Sequence, residues 1–170
     1  YGGGNGVTVT GGITVFLNVG DHSNTYTQVD TIFGGNNKGD LDLAADIIML
    51  HGQVGTVYGG CNRGAMAASD PRYLQTIGDF DNIGSYVRLL ASYDGNGDGQ
   101  NVVTPDINVT HAIYGGCRMN GVTNNSLVFV EGGNFLNTLI FGGSDISGHV
   151  GGWSCVATSF PLSGTRGEGK

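Results

Sequence analysis

A short phrase, an aromatic residue followed by two glycines, occurs five times in this chain of 170 residues. Its aromatic residues are Tyr1, Phe33, Tyr58, Tyr114 and Phe141. The intervals between them are 32, 25, 56 and 27 residues, and the interval of 56 is interpreted as two units that carry insertions. A period of about 20–50 residues is the signature of a repeat architecture. The chain is therefore expected to consist of similar units stacked on one another.

The segments between the phrases predict β-strands. Runs rich in Val, Ile, Leu and Phe occur at 13–19, 45–50, 86–91 and 127–130. No sustained 3.6-residue apolar period is present, and 33 glycines interrupt every window that could hold a helix. Each glycine would cost a helix about 1 kcal/mol relative to alanine. Helix is therefore not expected.

The length of the repeat favours a β-solenoid over a β-propeller. Two or three short strands with Gly-Gly corners fit one turn of a β-solenoid, whereas a propeller blade needs four strands in roughly 40–50 residues. The predicted fold is all-β, a parallel β-solenoid (β-helix) of about five to six coils with an insertion near 65–106. Residues 1–160 are predicted to form a single domain, and residues 161–170 a polar tail.

Equivalent side chains of stacked units are expected to lie in rows, about 4.8 Å apart. The aromatic residues of the phrase would form one row, and the Ile or Val before Phe33, Tyr58, Tyr114 and Phe141 would face the opposite side of the strand. Asn5, Asn37 and Asn62 share one offset after the aromatic residue. Asparagine bonds to turn backbone and tolerates positive φ. The five aromatic residues and the three asparagines are therefore predicted to form a structural ladder, with no catalytic role.

The pattern aromatic-Gly-Gly-x-Asn followed by an apolar strand resembles the Gly-rich repeat proteins that Bacteroidetes-type bacteria secrete or display. Tyr1-Gly2-Gly3-Gly4-Asn5 and Tyr58-Gly59-Gly60-Cys61-Asn62 carry the resemblance. It extends over roughly the whole chain, except between 65 and 106, where insertions interrupt the pattern. The resemblance implies a structural protein that is extracellular or on the bacterial cell surface, and it offers no catalytic residues.

Charge and hydropathy exclude two classes of partner. The chain has 14 acidic and 7 basic residues, a net charge of −7, and no basic run. A nucleic-acid partner is therefore not expected, because phosphate binding requires clustered Lys and Arg. Membrane insertion is not expected either, since no apolar run approaches the ~18–20 residues that span a bilayer.

One segment is similar to a calcium-binding loop. Asp94-Gly95-Asn96-Gly97-Asp98-Gly99 has oxygen ligands at positions 1, 3 and 5 and glycine at position 6. Position 12 is Pro105, and the nearest carboxylate is Asp106. Asp94, Asn96, Asp98 and Asp106 are therefore a candidate calcium site. The favoured alternative is a turn rich in Asp, Asn and Gly that binds no ion.

Cys61 and Cys117 occupy the same position, directly after the two glycines of their units. If their units are neighbours, the Cα atoms lie about 4.8 Å apart, within the ~4.4–6.8 Å range of a disulfide. One intervening coil would double this distance and exclude the bond. The strand-like run at 86–91 favours an intervening coil, so free, buried cysteines are slightly preferred.

The leading hypothesis is a non-catalytic structural or adhesive protein, secreted or on a bacterial surface, whose units either continue into further repeats of a longer protein or stack end to end with copies of the chain into filaments. This hypothesis rests on the repeat, on the absence of catalytic residues that come together in one place, and on two ends that show no capping unit. The alternatives are a polysaccharide-acting enzyme and a carbohydrate-binding module with exposed aromatic rings, both of which bind glycans. The candidate residues of the enzyme are Asp40, Asp42 and Asp46, with Lys38 and Arg63 nearby.

Overall fold

The computed structural model describes residues 1–17, 28–66, 75–77, 80–92, 99–100, 102, 106–133, 135 and 137–158. These residues contain strands and turns and no helix. In chain order the strands are β1 (Ile13–Leu17), β2 (Gln28–Phe33), β3 (Ala45–Met49), β4 (His51–Tyr58), β5 (Gln75–Ile77), β6 (Phe80–Leu89), β7 (Asp106–Tyr114), β8 (Val122–Thr123), β9 (Asn125–Val130), β10 (Leu139–Phe141), β11 (His149–Val150) and β12 (Ser154–Ala157). None of the described segments is a helix of the length and apolarity that crossing a membrane requires.

The strands form three sheets, and all but one of the strand pairs are parallel. The largest sheet has the order β1-β3-β6-β9-β12, and β5 pairs with β6 as its sixth, antiparallel strand. The second sheet has the order β10-β7-β4-β2, and β11 and β8 form the third. Strands that follow one another along the chain mostly lie in different sheets, because parallel neighbours cannot be joined by a tight turn.

The predicted parallel β-solenoid of about five to six coils, with an insertion near 65–106, is wrong. The strands are mostly parallel, but they lie in three sheets of six, four and two strands that are not stacked as a solenoid. Corresponding strands of neighbouring units are unequal in length, since β6 has 10 residues and β9, its neighbour in the largest sheet, has 6. The largest sheet also contains β5, an antiparallel strand that has no counterpart in the other two sheets. The units are therefore not equivalent.

The long interval between Tyr58 and Tyr114 contains one unit, and its interpretation as two units is wrong. β4 pairs directly with β7, and the register places Val57 opposite Ile113 and Tyr58 opposite Tyr114. β6 lies between β3 and β9 in the other large sheet. The run at 86–91 that suggested an additional unit is part of β6, so it belongs to the same unit as β7.

The main core lies between the two larger sheets. Apolar side chains from both sheets form one buried cluster, which contains Ile32, Ile47, Met49, Val54, Val57, Val87, Leu89, Ile107, Val109, Ile113 and Val128. The opposite face of the largest sheet is also buried, around Tyr86, Leu127 and Phe129. Burial on both faces is typical of parallel strands and explains why their apolar residues do not simply alternate with polar ones.

Candidate functional site

The five aromatic residues of the repeated phrase form a continuous stack, here called the aromatic row. Neighbouring ring centroids lie 4.7 to 5.1 Å apart, and the rings are within 6° to 11° of parallel. Phe33 and Tyr58 are each only 6% exposed, whereas Tyr1 and Phe141 at the ends are 57% and 43% exposed. The faces of the inner rings are therefore covered by other rings of the row.

Asn5, Asn37 and Asn62 form a second row, the asparagine row. Asn37 Nδ2 donates to Asn5 Oδ1 at 2.7 Å, and Asn62 Nδ2 donates to Asn37 Oδ1 at 2.8 Å. Arg118 stands at the equivalent position of the next unit, so the chain of amides stops at Asn62. Asn62 Oδ1 is buried and has no hydrogen-bond partner.

A third row consists of the residue that follows the two glycines, and we call it the acceptor row. The N–H groups of Gly4, Asn36, Cys61 and Cys117 each donate to the side chain of the next member. The acceptors are Asn36 Oδ1 at 2.7 Å, Cys61 Sγ at 3.2 Å, Cys117 Sγ at 3.2 Å and Ser144 Oγ at 3.0 Å. This row was not predicted from the sequence, because its four acceptor residues differ in type and share only the ability to accept a hydrogen bond.

Cys61 and Cys117 are neighbours in the acceptor row, so the expected intervening coil is wrong. Both thiols are buried and free, and the candidate disulfide is not formed. The contact with Cys117 and burial raise the pKa of the Cys61 thiol. Cys117 Sγ also lies 3.0 Å from Thr123 Oγ1. The two thiols therefore act as acceptors for backbone N–H groups in the interior.

Most of the candidate calcium site lies outside the described residues, since these do not include Asp94, Asn96 and Asp98. Asp106 is exposed at the start of β7, and its N–H donates to the Leu50 carbonyl at 2.6 Å. Within the described part of the chain, no group of three or more His, Cys, Asp or Glu side chains is placed to hold a metal ion.

The carboxylates proposed for an enzyme have different surroundings. Asp46 on β3 accepts two hydrogen bonds from Arg88 on β6, one of them from Nε at 3.0 Å, and the Arg88 guanidinium lies 5.0 Å from the centre of the Tyr86 ring. Asp40 Oδ1 accepts the N–H of Ala65 at 2.9 Å. The remaining candidates are exposed: Asp42, Lys38 and Arg63. Two of the three carboxylates are thus already bonded to other groups of the protein.

A groove of about 520 Å³ runs beside the aromatic row. It is lined by Tyr1, Thr31, Phe33, Thr56, Tyr58, Asn62 and Arg118. At its edge the Tyr58 hydroxyl donates to Asp145 Oδ2 at 2.9 Å. Burial, and then the Asp145 carboxylate, raise the pKa of Tyr58 to about 12, although Arg118 acts in the opposite direction.

Three polar residues that line the groove were not predicted, Thr31, Thr56 and Arg118, and neither was Asp145, which bonds to Tyr58 at its edge. The only signal in the sequence was an exception to the repeat, because Arg118 and Asp145 occupy the position where three earlier units have asparagine. Comparison with protein-family models, curated proteins and solved structures found no match to this chain.

Proposed function

We propose that the chain is a non-catalytic structural protein, secreted or displayed on a bacterial surface, that serves as a stalk, fibre or adhesive spacer. The observation that supports this proposal is that the side chains of the repeated phrase contact mainly one another. The aromatic row, the asparagine row and the acceptor row bond or stack mainly on themselves. A contribution to stability is therefore enough to explain why the aromatic-Gly-Gly phrase recurs in the sequence.

The energies of these rows support a structural role. Each aromatic pair contributes about 0.5–1.5 kcal/mol beyond the burial of its area. A hydrogen bond from a buried N–H contributes about 1 kcal/mol, and leaving such an N–H without a partner costs more. The rows therefore contribute to the contacts that join neighbouring units.

The alternative functions have less support from the described residues. A carbohydrate-binding module stacks sugars on exposed ring faces, but the inner faces of the aromatic row are covered. An acid–base pair for glycoside hydrolysis needs two carboxylates that face the substrate. Asp46, one of the candidates, is instead held by Arg88.

End-to-end association is part of the proposal. The outer rings of the aromatic row, Tyr1 and Phe141, are the two exposed members. A second copy that places its Tyr1 on Phe141 would continue the stack at the same spacing. A head-to-tail contact whose rotation does not close into a ring generates a fibre.

Light scattering and negative-stain microscopy over a range of concentrations test the proposal. We expect elongated particles whose mass grows with concentration. Phe141→Asp should block growth, because it places a charge on the ring stack. Val102→Asp is the matched control, since Val102 is 52% exposed and lies outside the row. A dispersed monomer at every concentration, or equal effects of the two variants, would contradict end-to-end association.

The non-catalytic part is tested separately. Neutral and uronate-containing polysaccharides are incubated with the chain and analysed for shorter products. No products are expected. Turnover that Asp42→Ala or Asp46→Ala abolishes, in variants that still fold, would establish the enzyme instead.

A further inference from the structure

The exposed apolar side chains are concentrated in two parts of the chain. Among the described residues, nine large hydrophobic side chains are exposed. Seven of the nine lie in the ranges 1–17 and 139–157: Tyr1, Val7, Phe16, Leu139, Phe141, Ile146 and Val156. These ranges contain β1 and β12, the two outermost strands of the largest sheet. Apolar side chains gathered in this way are typical of surfaces that contact another protein.

The edges formed by β1 and β12 lack the features that usually prevent strand pairing. Within the described part of the chain, β1 pairs with β3 alone and β12 with β9 alone. An edge strand offers N–H and C=O groups to another chain, and natural proteins block such edges with charged residues, proline or a bulge. The sequence of β1 is Ile-Thr-Val-Phe-Leu and that of β12 is Ser-Cys-Val-Ala, so neither contains a charge or a proline. Both pairs also keep an unbroken register.

One row of apolar side chains crosses the whole sheet and is left uncovered at its end. The strand registers align Val15, Ile47, Val87, Val128 and Val156. The three inner members are 0% exposed, whereas Val156 is 42% exposed and Val15 is half-buried. A further strand beside β12, with an apolar residue at the matching position, would bury Val156 as the inner members are buried. The opposite edge of the same sheet presents Val15 at that position.

We infer that β12 of one copy pairs in parallel with β1 of the next copy, with Val156 opposite Val15. Neighbours along β1-β3-β6-β9-β12 are all parallel, so a head-to-tail copy presents its β1 in the required direction. The same register places Cys155 opposite Thr14. A slip of one residue would turn Thr14 and Phe16 toward the interior. The inference rests on the end-to-end association proposed above, and it names the strands and the register that form the contact.

Oxidative cross-linking tests the register, because Cys155 is half-buried whereas the other two cysteines are buried. Opposite residues of neighbouring strands lie about 4.8 Å apart at Cα, within the ~4.4–6.8 Å range of a disulfide, and a shift of two residues increases this distance to about 8 Å. Thr14→Cys, after assembly and treatment with diamide, should therefore give a ladder of linked multimers on a non-reducing gel. Phe16→Cys is the matched control, since Phe16 is exposed on the same face of β1, two residues further along.

The outcomes separate this inference from the proposed function. Thr14→Cys combined with Cys155→Ser should give no ladder. A ladder that persists without Cys155, or an equal ladder from Phe16→Cys, would overturn the inference. Growth in light scattering without linkage of the Thr14→Cys chain would also overturn it, although end-to-end association would remain. Absence of growth in the original chain at every concentration would contradict both.

A second measurement requires no oxidation. Val156→Lys places a charge in the apolar row at the junction and should raise the concentration at which growth begins at least about tenfold. Val122→Lys is its matched control, because Val122 is 41% exposed and lies in β8, which pairs with β11. Thermal melting checks that both variants fold. Equal growth of the two variants would overturn the inference.

Discussion

The backbone of the next unit leaves no room for a side chain at individual glycines of the repeated phrase. A Cβ atom at Gly59 would overlap the carbonyl oxygen of Gly115 and the hydroxyl of Ser85, which donates to that same oxygen. Gly59→Ala should therefore lower the free energy of unfolding by about 1–3 kcal/mol, the usual cost of overpacking. Urea denaturation measures the change.

Gly11→Ala is the control for this substitution. No atom lies within 4 Å of a Cβ at Gly11, and its φ does not require glycine. The change should be small, and a stabilisation of up to about 1 kcal/mol is compatible with the reduced entropy of the unfolded chain. Equal destabilisation by both variants would show that close packing is not the reason for the recurrence of the two glycines in the phrase.

The Tyr58 hydroxyl links stability to alkaline pH. Burial and Asp145 raise its pKa to about 12, whereas an unfolded tyrosine has a pKa of about 10. Between these values the unfolded chain has released a proton that the folded chain retains, so stability falls as the pH rises from about 10 to 12. Tyr58→Phe should make this fall less steep, as measured by melting temperature against pH. An unchanged slope would contradict the assignment.

Individual residues differ in how well the sequence predicts them. The members of the asparagine row could be chosen from spacing, because all three have the same side chain at the same offset. The acceptor row could not, because Asn36, Cys61 and Ser144 have in common only an acceptor atom. Arg118 in the groove and Asp145 at its edge are harder still, since both are departures from the repeat.

At the scale of elements, one ion pair joins two strands of the largest sheet. Asp46 on β3 is 6% exposed and bonded to Arg88 on β6. Asp46→Ala leaves the Arg88 charge without its partner and should destabilise the fold by about 1–3 kcal/mol, less than for a fully buried pair because Arg88 is partly exposed. Chemical denaturation provides the measurement.

Two further variants separate the pair from other effects of removing Asp46. Asp46→Ala combined with Arg88→Met should cost less than the sum of the single substitutions, which identifies a direct interaction. Asp42→Ala, at an exposed carboxylate, should change stability by no more than about 0.5 kcal/mol. Additive single effects would mean that the pair contributes nothing.

The strands themselves were only partly predictable. The four apolar runs became β1, β3, β6 and β9, all in the largest sheet. The partition of all the strands among three sheets could not be derived from periodicity, because a short apolar run does not specify its partner. Direct pairing of β4 with β7 was missed for the same reason: the length between two phrases does not tell whether the chain makes another unit or a longer excursion.

At the scale of the whole molecule, net charge should control association. The chain carries a net charge of −7, and its isoelectric point is near 4.7. Repulsion between copies decreases as the pH approaches that value, so end-to-end association should increase between pH 7 and pH 5. Light scattering follows the change, and Phe141→Asp should reduce it. Growth that is equally strong in this variant would indicate unspecific precipitation.

The acceptor row has a direction. Every N–H from Gly4 to Cys117 donates toward the next unit, and none of these bonds runs back. The two ends of the acceptor row are therefore chemically different, because Gly4 has no acceptor side chain and Ser144 has one. In the head-to-tail fibre proposed above, every copy would point the same way, so an inverted copy would stop elongation and the two ends of the fibre would gain and lose subunits at different rates.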